Sequence, residues 1–123
     1  STVSFLKKSY EAYYRPRGYS LKDVLSSFHS AKKRGVFVSL NLLVAPGFTD
    51  RKTEAAALCS FLKKGHADLL QWRNLSMDPE VFFRRMPVSE EKPAGLALLM
   101  KTIRNDFARL KYGYFNVPKE KFL

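Results

Sequence analysis

Chemistry in this chain has to be sought in polar side chains set into apolar runs. Two runs carry them: residues 36–44, with Ser39 and Asn41, and residues 68–73, with Gln71 and Arg73. Side chains alternate across a strand, so Ser39 and Asn41 share one face of the first run, and Gln71 and Arg73 share one face of the second. In a parallel barrel that face is the lumen near the C-terminal rim, where active-site groups are placed. A buried guanidinium needs an anionic or hydrogen-bonding partner, and no acid lies beside Arg73 in sequence. Asn41 and Arg73 are therefore read equally as ligand contacts or as partners of one another and of loop backbone, and Ser39 as internally paired.

Other candidate groups carry less. Tyr10, Tyr13, Tyr14, Arg15, Arg17 and Tyr19 crowd residues 10–19, a combination of aromatic faces and planar cations that can stack on a base or pair with a phosphate. Pro16 and Gly18 give the same stretch the character of a shaped loop, in which tyrosines pack and keep only their hydroxyls wet. His29 and His66 have no histidine, cysteine or carboxylate at metal-ligand spacing and read as surface residues. Cys59 and Ser60 have no histidine near them in sequence to act as base. No phosphate-binding or dinucleotide-binding glycine motif occurs. No catalytic residue and no metal ligand is assigned.

The elements that position these groups alternate between helix and strand. Ser20 and Asp23 form a capping box before Leu21, Val24, Leu25 and Phe28, and Gly35 closes that helix, expected over 21–34. Residues 36–44 are too continuously apolar for a half-exposed strand and read as a buried parallel one. Pro46 and Gly47 break the chain, and Thr49 or Asp50 is expected to cap a helix over 51–64. Residues 68–73 form the next strand, at about the minimum spacing of a parallel crossover. A long amphipathic helix is expected over 93–111, stopped by Gly113, with a last short strand at 114–117. Thr2, Val3 and Ser4 read as the end of a preceding strand. The fold class is α/β: βαβ units of a partial (βα) barrel, in one domain spanning 1–123.

The chain has 123 residues, 46% of them hydrophobic, and a formal charge of +11 from 22 Lys and Arg against 11 acids. Such a charge favours polyanions by long-range attraction, which keeps a small basic nucleic-acid-binding domain as the alternative function. The basic residues are spread along the chain, however, and several fall in last helical turns, where they offset the helix dipole. No apolar run is long enough to span a membrane, and no secretory leader pattern opens the chain. The single cysteine, Cys59, excludes an internal disulfide and fits a cytoplasmic setting.

Two stretches carry a family likeness: residues 10–19, which contain EAYYRPRGY, and the longer 36–79, which contains VSLNLLVAPGFTDR and then LLQWRNLSMDP. With GYFNVP at 113–118, they resemble the later strands of radical SAM proteins. The resemblance implies a TIM-barrel-like (βα) fold that binds S-adenosylmethionine and a 4Fe-4S cluster and makes a 5′-deoxyadenosyl radical. It implies that residues 2–4 end the fourth strand and that 36–44 and 68–73 are the fifth and sixth. Ser4 then resembles a position touching the cofactor's ribose or carboxylate, and Leu43, Val44 and Ala45 one packing on adenine. Substrate contacts fall to Asn41, Gln71, Arg73 and Asn74. The family's Cys-x-x-x-Cys-x-x-Cys motif, which holds the cluster, is absent, and its Gly-x-Ile-x-Gly-x-x-Glu pattern is not reproduced. The chain is thus expected to be the C-terminal part of such an enzyme, inactive alone, with the N-terminal remainder as its partner and a homodimer of the fragment as an outcome of its open sheet.

Overall fold

The computed structural model describes residues 1–113; the short strand expected at 114–117 lies outside them. Five helices, α1 (Lys7–Tyr14), α2 (Leu21–Lys33), α3 (Lys52–Lys63), α4 (Pro79–Arg85) and α5 (Leu96–Asp106), surround three strands, β1 (Ser39–Val44), β2 (Leu69–Asn74) and β3 (Lys111–Gly113). The strands lie in the order β1-β2-β3, every neighbour parallel, with Asn41 opposite Gln71 and Leu43 opposite Arg73. On the free side of β1, Thr2 forms a parallel bridge to Leu42, donating its amide to the Asn41 carbonyl and accepting from the Leu43 amide. Four parallel segments therefore follow one another in chain order.

One face of the sheet carries the main core. Leu40, Leu42, Val44, Leu70 and Trp72 point from the strands, and Leu58, Phe61 and Leu62 of α3 and Leu99 and Ile103 of α5 pack with them. Near the other face, at the C-terminal end of β1, a smaller cluster joins Val3, Ala45, Phe48, Phe82 and Met86, with Leu43, Tyr13 and Tyr14 packed against it. Burial of this kind contributes roughly 1.5–3 kcal/mol for each large side chain, before chain entropy is counted.

Local signals set the ends of α2 as expected. The Ser20 hydroxyl accepts from the Asp23 amide while the Asp23 carboxylate accepts from the Ser20 amide, and Gly35 sits in the left-handed region at φ +77°. Apart from one-residue shifts, three elements differ from the sequence reading, two in extent and one in its cap. β1 begins at Ser39, not at 36, because β2 begins opposite it at Leu69; Val36 and Phe37 have no strand to pair with, and Phe37 is 58% exposed. Helix α5 spans Leu96–Asp106 instead of 93–111: it begins only after Gly95, and at its far end the Tyr112 hydroxyl lies 2.7 Å from the Phe107 carbonyl and 3.1 Å from that of Ile103, answering the open end of the helix. Gly113, expected to stop that helix, is instead a strand residue.

The third difference is at α3. Neither Thr49 nor Asp50 caps it. Thr49 accepts from the Ala45 amide, and Asp50 accepts from the Gly47 amide with one oxygen and the Gly95 amide with the other. The first turn of α3 is served from far away, by Glu91, which accepts from both the Thr53 amide and its hydroxyl. Arg51 also reaches the Pro87 carbonyl at 3.0 Å. Together these bonds tie the irregular segment 87–95 to the start of α3.

Candidate functional site

The face of β1 and β2 turned away from α3 and α5 carries Ser39, Asn41 and Leu43 beside Gln71 and Arg73, as strand alternation requires. Arg73 is exposed rather than buried, so it needs no anion to compensate desolvation; its guanidinium donates to the Gln71 side-chain oxygen at 3.1 Å. Ser39 and Asn74 are also exposed. Asn41 differs. Its Oδ1 is buried and accepts no hydrogen bond, which costs about 1–3 kcal/mol unless a partner arrives. Gly113 is opposite Gln71 in β3, and a Cβ there would lie 2.8 Å from Gln71 Cγ. The absent side chain leaves Gln71 room for its reach toward Arg73.

At the C-terminal ends of β1 and β2 an apolar cavity of about 240 Å³ is lined by Val44, Ala45, Leu75, Met77, Phe82 and Phe83, among others. Of the residues assigned to adenine by resemblance, Val44 and Ala45 border this cavity, whereas Leu43 packs against the cluster that includes Tyr13, Tyr14 and Phe82.

Ser4 is placed elsewhere. It is buried against α3, donating to Glu54 Oε1 at 2.5 Å and accepting from the Leu6 amide. Ser9 donates to the other oxygen, Glu54 Oε2, at 2.6 Å. Burial raises the Glu54 pKa above its ordinary value, although the two hydroxyls and the nearby Arg51 pull the other way. Neither Glu54 nor Ser9 is marked by sequence reasoning as functional. The signal was present: Glu54, Leu58 and Leu62 are spaced four apart on the buried stripe of α3, where a carboxylate needs partners.

The aromatic stretch 10–19 is partly helix. Tyr10, Tyr13 and Tyr14 belong to α1, which ends where Arg15 takes a left-handed φ of 47°. Tyr14 meets Tyr10 at a tilt and Tyr13 edge-on, and Tyr13 also meets Phe82. Burial pushes the Tyr14 hydroxyl up to about 12, with Tyr13 and Tyr10 adding to it and Val3 and Thr2 pulling the other way. Of the four tyrosines only Tyr19 stands well exposed, at 45%.

His29 and His66, far apart in sequence, meet on the surface: His29 Nδ1 lies 3.1 Å from His66 Nε2. Among the described residues no group of three or more His, Cys, Asp or Glu side chains is placed to hold a metal, and no helix is long and apolar enough to cross a membrane. No family model, curated protein or solved structure matches the chain.

Proposed function

We propose that this chain is the C-terminal part of the (βα) barrel of a radical SAM enzyme, contributing cofactor and substrate contacts in the intact protein and inactive by itself. The observation that carries the reading is the ladder of four parallel segments in chain order, Thr2, β1, β2 and β3, cored on the α3 and α5 side and carrying Asn41, Gln71 and Arg73 on the other beside a smaller apolar cluster. A parallel sheet is ordinarily covered on both faces, and in a barrel the second face is the lumen. The unpartnered Asn41 Oδ1 on that face is a place for a ligand donor.

The residues fit the implied cofactors unequally. An iron–sulfur cluster needs several thiolates. Cys59 is the only cysteine, and it packs on α3 against the core, behind the sheet from Asn41; its thiol is also pushed up by burial, away from thiolate. This chain does not fit the cluster, which would belong to the N-terminal remainder. For S-adenosylmethionine, the apolar cavity beside Val44 and Ala45 suits a flat adenine ring. Ser4 is already committed to Glu54, so its resemblance to a ribose or carboxylate contact has little geometric support. Asn41, Gln71 and Arg73 remain the substrate candidates, whereas Asn74 is opposite Val44 and falls by alternation on the other face.

The test is to read the coding sequence upstream of Ser1 and express the longer product. The expected result is a Cys-x-x-x-Cys-x-x-Cys motif within roughly 100–200 residues, the scale of the missing barrel portion. The longer protein should then release 5′-deoxyadenosine from S-adenosylmethionine under reducing, anaerobic conditions, while residues 1–123 alone stay colourless with iron and sulfide. An upstream frame without that motif refutes the proposal.

A further inference from the structure

The geometry points to a surface site for a divalent late first-row transition-metal ion, held by His29 Nδ1 and His66 Nε2 and completed by water. The inference stands without the radical SAM reading, since both histidines lie outside the sheet face just described. His29 is on α2, and His66 follows Gly65, the left-handed residue after α3.

Four observations support it. First, with metal–nitrogen bonds of about 2.0–2.1 Å, the 3.1 Å separation of the two nitrogens closes a nitrogen–metal–nitrogen angle of roughly 95–100°. That is a cis pair in tetrahedral, square-planar or octahedral coordination, reached by small rotations that turn each lone pair from the other ring onto a shared ion. Secondly, a metal takes a lone pair from each neutral imidazole, and His29 Nδ1 and His66 Nε2 are the nitrogens that face one another. Thirdly, the ring is seated: His66 meets Phe61 edge-on, and Phe61 stacks on Phe5 and meets Phe28 edge-on. Fourthly, His29 is exposed, leaving room for the remaining water ligands.

Imidazole nitrogen selects copper, nickel and zinc over magnesium, with copper(II) bound most tightly. The Lys64 charge acts on His66 and opposes a cation, so two protein ligands hold the ion more weakly than a full four-ligand site. Occupation would link α2 to the α3–β2 turn.

The experiment uses untagged protein carrying Cys59→Ser, which removes the one thiol, titrated by calorimetry with copper(II), nickel(II), zinc(II) and magnesium salts at pH 7.5. One equivalent of copper, nickel or zinc should bind, copper tightest and magnesium not at all, with a rise in Tm. His29→Gln and His66→Gln should each weaken binding at least about tenfold and abolish the Tm rise, since one imidazole cannot chelate. Circular dichroism on the same samples verifies that the variants are folded, as the exposure of the pair leads one to expect. Absence of saturable binding by all three ions up to millimolar concentration overturns the proposal. So does binding by either folded variant equal to that of the parent.

Discussion

Glu54→Ala tests whether the buried carboxylate is what fastens the N-terminal segment to α3. The substitution leaves the Ser4 and Ser9 hydroxyls, both buried, without the acceptor that each now uses. A stranded buried hydroxyl costs about 1–3 kcal/mol, so two of them cost several; relief from burying a carboxylate offsets part of this. The expected net loss is about 2–3 kcal/mol, which for a chain of this size lowers Tm by roughly 8–12 °C. Urea and thermal unfolding followed by circular dichroism give both numbers. Removing all three polar groups, as Ser4→Ala, Ser9→Ala and Glu54→Met together, should recover stability to within about 1 kcal/mol of the parent. The pH dependence separates charge from packing. Because burial raises the folded-state pKa of Glu54, the folded state holds its proton more tightly than the unfolded one. The stability difference between the parent and Glu54→Gln should therefore fall as pH rises from the ordinary carboxylate value through the raised one, and be flat on either side. A Glu54→Ala protein within about 0.5 kcal/mol of the parent, or a triple variant as unstable as the single one, would refute the reasoning.

Asp68 should behave in the opposite sense: Lys32 and the Val38 amide lower its pKa, so its contribution is present above the ordinary carboxylate value and lost as pH falls through the lowered one. Asp68→Asn should accordingly be less stable than the parent at neutral pH, with the gap closing in acid-unfolding curves. Gly113→Ala forces Gln71 into another rotamer, because the new Cβ meets Gln71 Cγ at 2.8 Å; a loss of about 1–2 kcal/mol in urea unfolding is expected, and a neutral result would mean that β3 does not hold this register. The polar sheet face and the sparsely paired edge at Thr2 should give concentration-dependent self-association, stronger at high salt where the +11 charge is screened. Sedimentation equilibrium showing a monomer at low and high salt alike, up to high protein concentration, would count against an uncovered sheet.

What the sequence made legible is what neighbours in sequence decide. Ser20 and Asp23 are three residues apart, and their capping box forms as read. Strand alternation alone put Asn41, Gln71 and Arg73 on one face, and the observed register keeps them there. The continuous apolar run beginning at Val36 overstated β1, because a strand extends only as far as its partner and the start of β2 is not written in β1. The helix expected to run to 111 failed for a similar reason: Leu110 fits the apolar period, but Tyr112 folds back on the last carbonyls of α5. Polar partnerships across long separations were out of reach. Ser4 meets Glu54 across 50 residues, and His29 meets His66 across 37. Spacing rules see neither.

The ties that hold segment 87–95 to α3 also determine which parts of the chain can open separately. Glu91 serves the Thr53 amide, Asp50 the Gly95 amide, and Arg51 the Pro87 carbonyl. The first turn of α3 and the irregular stretch before α5 therefore cannot be exposed one without the other, although 38 residues separate Thr53 from Glu91. In hydrogen exchange they form one cooperative unit: the amides of Thr53 and Gly95 should exchange with the same opening free energy, and Glu91→Gln should speed both. This places a boundary of local unfolding inside α3, with its first turn belonging to the downstream loop and its later turns, carrying Leu58, Phe61 and Leu62, to the core.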